Sequence, residues 1–359
     1  MIIDSHAHIF PFLGTPAGFG SIAEHMRFLQ FYVVGHSQPV RRLRDHSVVQ
    51  APTLARSPLI GPEQLTEVSF RVGENGRFLW DHDGETLYTH FMPPSLQTNS
   101  CPPELLLAQL AYVGVDAAVL QNAHLYGRLN EFFAAAQARY PDKLIALAEV
   151  DEVNAHTEAE LRDLRVAIRD LGLRGIYYAN RGFMFDHYRV SFDDRRYHVF
   201  WETVRELGIP VFWELAGVPE NTREAYLCEV DRLHRWAERY PDIPAILTHG
   251  IGGDLLQEPI PEPLERLLSH DQVRVEILYP IGWGRSHEYP YPELRPTLRA
   301  LYDLLGGGRL VWGSDMPNVE RNCTYRQSLD YLRRYCPFIP SRDMERILGG
   351  NLAELFGLR

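Results

Sequence analysis

Near the start of the chain, Asp4-Ser5-His6-Ala7-His8 sets two imidazoles two residues apart, directly after the apolar pair Ile2-Ile3. Side chains at that spacing share one face of an extended strand. Two neutral imidazoles on one face can chelate a single divalent ion, with zinc a common choice. The plainer alternative is a pair of hydrogen-bonded structural histidines, because an isolated H-x-H is a weak motif. Two later motifs follow apolar runs in the same manner: Thr248-His249-Gly250 after residues 243–247, and Gly313-Ser314-Asp315 after residues 310–312. The Asp315 carboxylate could hold a cation or accept a proton from a reacting water. Singly, these are an ordinary core histidine and an ordinary turn aspartate. Jointly, three strand ends bearing ligand-type residues point to one shared site.

Such residues meet only if the fold gathers strand ends at one rim, as a TIM-type (β/α)8 barrel does at its C-terminal face. From about residue 100 onward, short apolar runs alternate with amphipathic stretches, the pattern of repeated βα units. The spacing predicts strands at residues 2–4, 117–120, 144–150, 175–178, 210–215, 245–248, 273–278 and 310–312. Helices are predicted at 104–112, 129–139, 158–171, 197–207, 222–240 and 325–335, where apolar residues recur every three or four positions. Pro103 suits the first turn of the first of these. Residues 11–100 break the alternation. There, 68–72, 77–81 and 86–91 read as strands separated by Glu74-Asn75-Gly76 and Asp83-Gly84, both hairpin turns. A small antiparallel cap with a helical piece at 22–33 is expected over one end of a single 1–359 barrel domain, since a structureless insertion of that length is uncommon.

The chain has 359 residues, 45% hydrophobic and 23% charged, ordinary for a globular protein with a large core. A formal charge of −11 argues against a nucleic-acid or anionic-membrane binder. Cys101, Cys228, Cys323 and Cys336 show no metal or disulfide spacing, so a reducing cytoplasm is the simplest setting. The start Met1-Ile2-Ile3-Asp4 reads as a strand rather than a secretory leader. No apolar run approaches the roughly 20 residues that span a bilayer.

Taken in order, His6-Ala7-His8, His249-Gly250 and Gly313-Ser314-Asp315 resemble the metal motifs of the amidohydrolase superfamily. The similarity is closer to its amidohydrolase-related (type 2) branch, typified by aminocarboxymuconate-semialdehyde decarboxylase. Gly114-Val115-Asp116 and the ending Ile347-Leu348-Gly349-Gly350-Asn351-Leu352-Ala353-Glu354-Leu355-Phe356 fit that resemblance. It implies a metal held by His6, His8 and Asp315, with His249 as a catalytic acid/base or a further contact, and Asp315 sharing the catalytic work. One departure stands out: where the family carries a metal-binding histidine at the end of strand five, this chain reads Pro210-Val211-Phe212-Trp213-Glu214. Glu214 is therefore expected as a ligand, and added oxygen would make manganese an alternative to zinc; the other reading is a carboxylate that supports the ligands or contacts the substrate, leaving the metal site incomplete.

The resemblance implies non-oxidative decarboxylation of a small aromatic or dienoic carboxylic acid. Hydrolysis of an amide, lactone, enamine or C–C bond is the alternative, and a barrel that binds a metal or small acid without turnover is a second. Arg181 and Arg321 are the preferred partners for a substrate carboxylate, because a guanidinium offers a planar bidentate match. Asn122 and Trp283 are further substrate-binding candidates at strand ends, and Tyr178 is a weaker one. The cap aromatics Phe31, Tyr32, Trp80 and Tyr88 read as a small core, and Arg41, Arg42 and Arg44 as either a solvated patch or an anion site. Family members commonly form dimers or larger assemblies.

Overall fold

Ile3–Ala7 forms strand β1, buried along its whole length even though it contains Asp4, Ser5 and His6. The computed structural model describes residues 1–34, 38–50, 53–56, 61–284 and 286–358, the side chains of Ile281 and Trp283 excepted. After β1 comes helix α1 (Ile22–Val34), then strands β2 (Val40–Arg42), β3 (Val48–Val49), β4 (Arg71–Val72), β5 (Arg77–His82) and β6 (Glu85–His90). These five strands make one antiparallel sheet in the order β3-β2-β6-β5-β4. The predicted meander is thus the larger part of that sheet, with β2 and β3 added along the edge of β6. The β5–β6 turn has positive φ at both Asp83 and Gly84, which the twist of a two-residue hairpin requires. Phe70 stacks on Phe78 and Trp80, so Trp80 does pack a cap core. Helix α1 is tied to the rest of the chain at His25, whose ring nitrogens lie 2.8 and 2.9 Å from the carbonyl oxygens of Thr15 and Leu125.

Beyond the cap, strands and helices alternate: α2 (Pro103–Val113), β7 (Ala117–Leu120), α3 (Asn130–Arg139), β8 (Leu144–Ala146), α4 (Glu158–Arg169), β9 (Ile176–Ala179), α5 (His198–Leu207) and β10 (Val211–Glu214). Then follow α6 (Arg223–Arg239), β11 (Ala245–Leu247), α7 (Glu262–Leu268), β12 (Val273–Ile277), α8 (Pro280–Trp283), α9 (Arg295–Leu305), β13 (Leu310–Trp312) and α10 (Tyr325–Tyr335). All ladders among these strands and β1 are parallel, in a three-stranded sheet β1-β7-β8 and a five-stranded sheet β13-β12-β11-β10-β9. Isolated parallel bridges link the sheets at both edges, Ala7 with Met316 and Ala148 with Ile176. The chain is therefore an α/β protein with parallel sheets. Burial on both faces explains why these strands read as unbroken apolar runs rather than as alternation.

Among the described residues, no helix is long and apolar enough to cross a membrane. Cys101 and Cys336 are buried, and the four cysteines are unpaired.

Candidate active site

The buried acid Asp4 fixes where β1 delivers its histidines. It accepts hydrogen bonds from the Ser314 amide (2.9 Å), the Ser314 hydroxyl (2.5 Å), the His6 amide (3.0 Å) and the Tyr325 hydroxyl (3.0 Å). Full burial raises its carboxyl to about 6 against those bonds. One side chain thus clamps the end of β1 to the loop after β13, and the His6 carbonyl accepts from the Asp315 amide at 2.8 Å. Gly313 is required in that loop: a Cβ there would meet Ser5 Oγ at 2.6 Å and Glu276 Oε1 at 2.9 Å.

Within this frame His6 Nε2, His8 Nε2 and Asp315 Oδ1 converge. The histidine nitrogens lie 3.1 Å apart, and Asp315 Oδ1 is 2.8 Å from His8 Nε2 and 3.9 Å from His6 Nε2. The other ring nitrogens set the tautomers. His8 Nδ1 lies 2.6 Å from the carbonyl oxygen of Gln121, which can only accept. His6 Nδ1 lies 2.9 Å from the Glu276 carboxylate, which also accepts from the Ser5 hydroxyl and the His249 amide. Both Nδ1 atoms therefore carry the proton, and both Nε2 lone pairs face each other beside a carboxylate oxygen. Three electron-pair donors this close repel unless a cation lies among them. The outer bonds to Glu276 and Gln121 are of the kind that fix the tautomer of a metal-binding histidine. The donor set fits a divalent ion.

Burial and neighbouring charge shift His6, His8, Glu276 and Asp315 in opposing directions. Burial disfavours a charged His6, yet Glu276, Asp315 and Asp4 raise it to about 9. Burial also opposes charge on Glu276 and Asp315. His6 nevertheless holds Glu276 below its ordinary value, and His8, His6 and His249 hold Asp315 well below. His8 is lowered, mainly by burial.

The cluster opens into a cavity of about 260 Å³ that also reaches His249, Glu214, Arg181, Arg321, Tyr177 and Tyr32. The His249 ring, 5.0 Å from that of His6, is solvent-exposed. Thr248 Oγ1 donates its only proton to the Trp213 carbonyl at 2.8 Å, so at 3.2 Å it accepts from His249 Nδ1. That leaves His249 Nε2 to take or give a proton. His249 and Asp315 both hold left-handed backbone, φ 64° and 63°. Such conformations are strained by about 1–3 kcal/mol each in residues other than glycine, and cluster at functional sites.

Glu214 shares the cavity but stands outside the three-donor cluster, whose ligand atoms lie within 4.8 Å of one another. Its Oε2 accepts from the Tyr177 hydroxyl at 2.6 Å, and its Oε1 is 3.9 Å from Arg181 Nε. Glu214 therefore stands beside the three-donor cluster rather than within it, with Tyr177 and Arg181 as its neighbours. Asn122 lies elsewhere. It does not line the cavity, and donates instead to Glu149 Oε2 at 2.9 Å, in a separate buried group where His124 sits between Glu149 and Glu152. Arg181 and Arg321 do line it. The Trp283 side chain lies outside the described residues. Tyr178 turns away from the cavity to pack against Phe200, Trp201 and Trp213, while its neighbour Tyr177 faces in. Strand parity held that signal, since Tyr177, not Tyr178, is in step with Arg181. Asn318 was not anticipated; its Nδ2 donates to Asp315 Oδ1 at 2.8 Å. A larger cavity, about 520 Å³ beside Trp201, Trp236 and Tyr240, shares no residue with this one, and its Asp193, His198 and Glu238 form no converging three-donor group among the described residues.

A search of curated proteins found no match. Solved structures share the fold at low identity. A probable 2-pyrone-4,6-dicarboxylic acid hydrolase from Acinetobacter baumannii, with citric acid bound, is 17% identical, with TM-score 0.58 and 99% of each chain covered. The 5-carboxyvanillate decarboxylase of Sphingomonas paucimobilis is 17% identical, with TM-score 0.52 over 70% of this chain and 82% of its own. A dihydroxybenzoic acid decarboxylase from Polaromonas sp. JS666, with bound manganese and the inhibitor 2-nitroresorcinol, is 18% identical, with TM-score 0.51 over 70% and 85%. The amidohydrolase family model matches residues 3–358, and the chain belongs to that family.

Proposed function

We propose that this chain is a metal-dependent carboxy-lyase that releases CO2 from a small aromatic or dienoic carboxylic acid. The observation that carries the reading is the convergence of His6 Nε2, His8 Nε2 and Asp315 Oδ1 at one cavity with His249 and two arginines. Its architectural part is that the eight parallel strands close as a (β/α)8 barrel, in one domain capped by residues 11–100. The two bridges between the sheets, and a hydrophobic core running from Ile3 through Trp80 to Phe356, support that part.

His6, His8 and Asp315 would hold the ion; zinc suits two imidazoles and a carboxylate, and the manganese of the Polaromonas enzyme supports the alternative. When bound, a divalent ion supplies Lewis acidity, drawing electron density from a substrate oxygen. Arg181 and Arg321 orient the carboxylate. The bond between carbon and carboxyl breaks, its electron pair stays on carbon, and that carbon takes a proton from His249 Nε2. Solvent then restores the proton, since His249 is exposed. Hydrolysis is the second reading, favoured by the pyrone dicarboxylic acid hydrolase that matches over 99% of both chains. In it, His249 Nε2 takes a proton from water. Incubating the metal-loaded protein with 2,6-dihydroxybenzoate, 5-carboxyvanillate and 2-pyrone-4,6-dicarboxylate separates the two. Release of CO2 supports decarboxylation, while 18O from water in the organic product, without CO2, rejects it.

Two further results are expected. In the metal-free protein His6 is raised to about 9, so metal binding at neutral pH must displace its proton. Apparent metal affinity should rise about tenfold per pH unit between 7 and 9 and flatten above, as read by chelator competition. An affinity independent of pH in that window would show that His6 gives up no proton. Glu214→Gln should keep one metal per chain yet raise KM about tenfold, because Arg181 and Tyr177 lose their charged partner. Loss of metal would instead restore Glu214 as a ligand.

A further inference from the structure

Tyr32 belongs to α1, on the cap, yet it lines the same cavity as Glu214, Arg181 and Tyr177. Its hydroxyl is buried and has no hydrogen-bond partner among the described residues. Burying a hydroxyl without a partner is destabilising, and native structures keep few such groups. The surrounding side chains are already engaged: the Tyr177 hydroxyl is committed to Glu214 Oε2, and Glu214 Oε1 faces Arg181. Burial, with Glu214 and Glu152 nearby, pushes the Tyr32 hydroxyl well above its ordinary value, so it stays a neutral donor.

We propose that the Tyr32 hydroxyl is a substrate-binding group, donating to an oxygen of the acid other than the one drawn to the His6–His8–Asp315 cluster. The acceptor class is a carboxylate, carbonyl or phenolic oxygen, because the adjacent Arg181 guanidinium favours negative charge at that place. The cap then does more than cover the site: α1 reads one substituent of the substrate, and the binding interaction relieves a polar group that the ligand-free fold leaves unsatisfied. This assignment rests on the reading of the cavity as an acid-binding active site.

The structure contains its own control. The Tyr178 hydroxyl is also buried and unpartnered, but it lies against Phe200, Trp201 and Trp213, away from the cavity. Tyr32→Phe and Tyr178→Phe each remove one such hydroxyl without changing ring volume, so both metal-free variants should melt higher than the parent. Only Tyr32→Phe should weaken binding of 2,6-dihydroxybenzoate or 2-pyrone-4,6-dicarboxylate to the manganese-loaded protein, by about tenfold. Metal content should be unchanged in both. Parental affinity in Tyr32→Phe, or an equal loss in Tyr178→Phe, overturns the assignment while leaving the active-site reading intact. A parent protein that binds neither acid overturns that reading, and Tyr32's role with it.

Discussion

Asp315→Asn should abolish both turnover and metal-dependent stabilisation. The carboxylate is the sole anionic donor of the cluster, 2.8 Å from His8 Nε2, and its side chain is only 8% exposed. An asparagine keeps the size and tolerates the left-handed backbone at φ 63°, so the comparison isolates the charge. Removing an outer partner of a metal ligand weakens affinity by about 10–100-fold, and losing a direct anionic ligand should exceed that. Turnover is expected to fall on the order of a thousandfold. A second measurement needs no substrate. A ligand at 100 times its Kd adds about 2.7 kcal/mol to stability, so zinc or manganese should raise the parent's melting temperature by several degrees and leave the variant's unmoved. Equal shifts in both proteins would remove Asp315 from the metal site.

That residue was legible in the sequence for a reason that extends to the two histidines. Alternation along a strand places His6 and His8 on one face, and the end of an apolar run places Asp315 at the rim; both are local rules. Parallel strands buried on both faces gave similarly local signals, so the strands after residue 100 fall close to their predicted positions. Where the ladder stops, the rule stops with it. β7 ends at Leu120, and it is the Gln121 side chain that reaches the Ser5 carbonyl at 2.7 Å, turning Asn122 outward to Glu149. Glu214 shows a different limit. Its place on β10 was readable, but its partners lie on β9 and just beyond, and only the β9–β10 register brings Tyr177 and Arg181 to it. Tyr32 is the extreme case, contributed by a cap helix whose apolar pattern gives no hint that one side chain packed against the core also lines the cavity. The strands β2 and β3, three and two residues long, are too short for periodicity to register.

His249→Asn should separate proton transfer from metal binding. The imidazole projects beside His6, with Nδ1 turned to the Thr248 hydroxyl and Nε2 left for the reacting group. Its backbone amide, not its ring, contacts Glu276, so replacing the side chain leaves the tautomer of His6 in place. Asparagine again suits the positive φ of 64°, whereas alanine would add backbone strain to the chemical change. A positioned acid or base contributes about 10²–10⁴-fold, so kcat should fall within that range while KM and metal content stay near parental values. The pH profile carries the sharper distinction. If Nε2 delivers the proton, the variant loses the limb of the kcat profile that reports an imidazole, and added imidazole restores part of the rate. If His249 is instead one more metal contact, metal content drops with kcat and imidazole restores neither. In the decarboxylase reading, product formed by the parent in D2O must also carry one deuterium at the carbon that lost CO2, because His249 exchanges with solvent before each turnover. Product without deuterium would mean that the proton comes from a group shielded from solvent, which the exposed His249 is not.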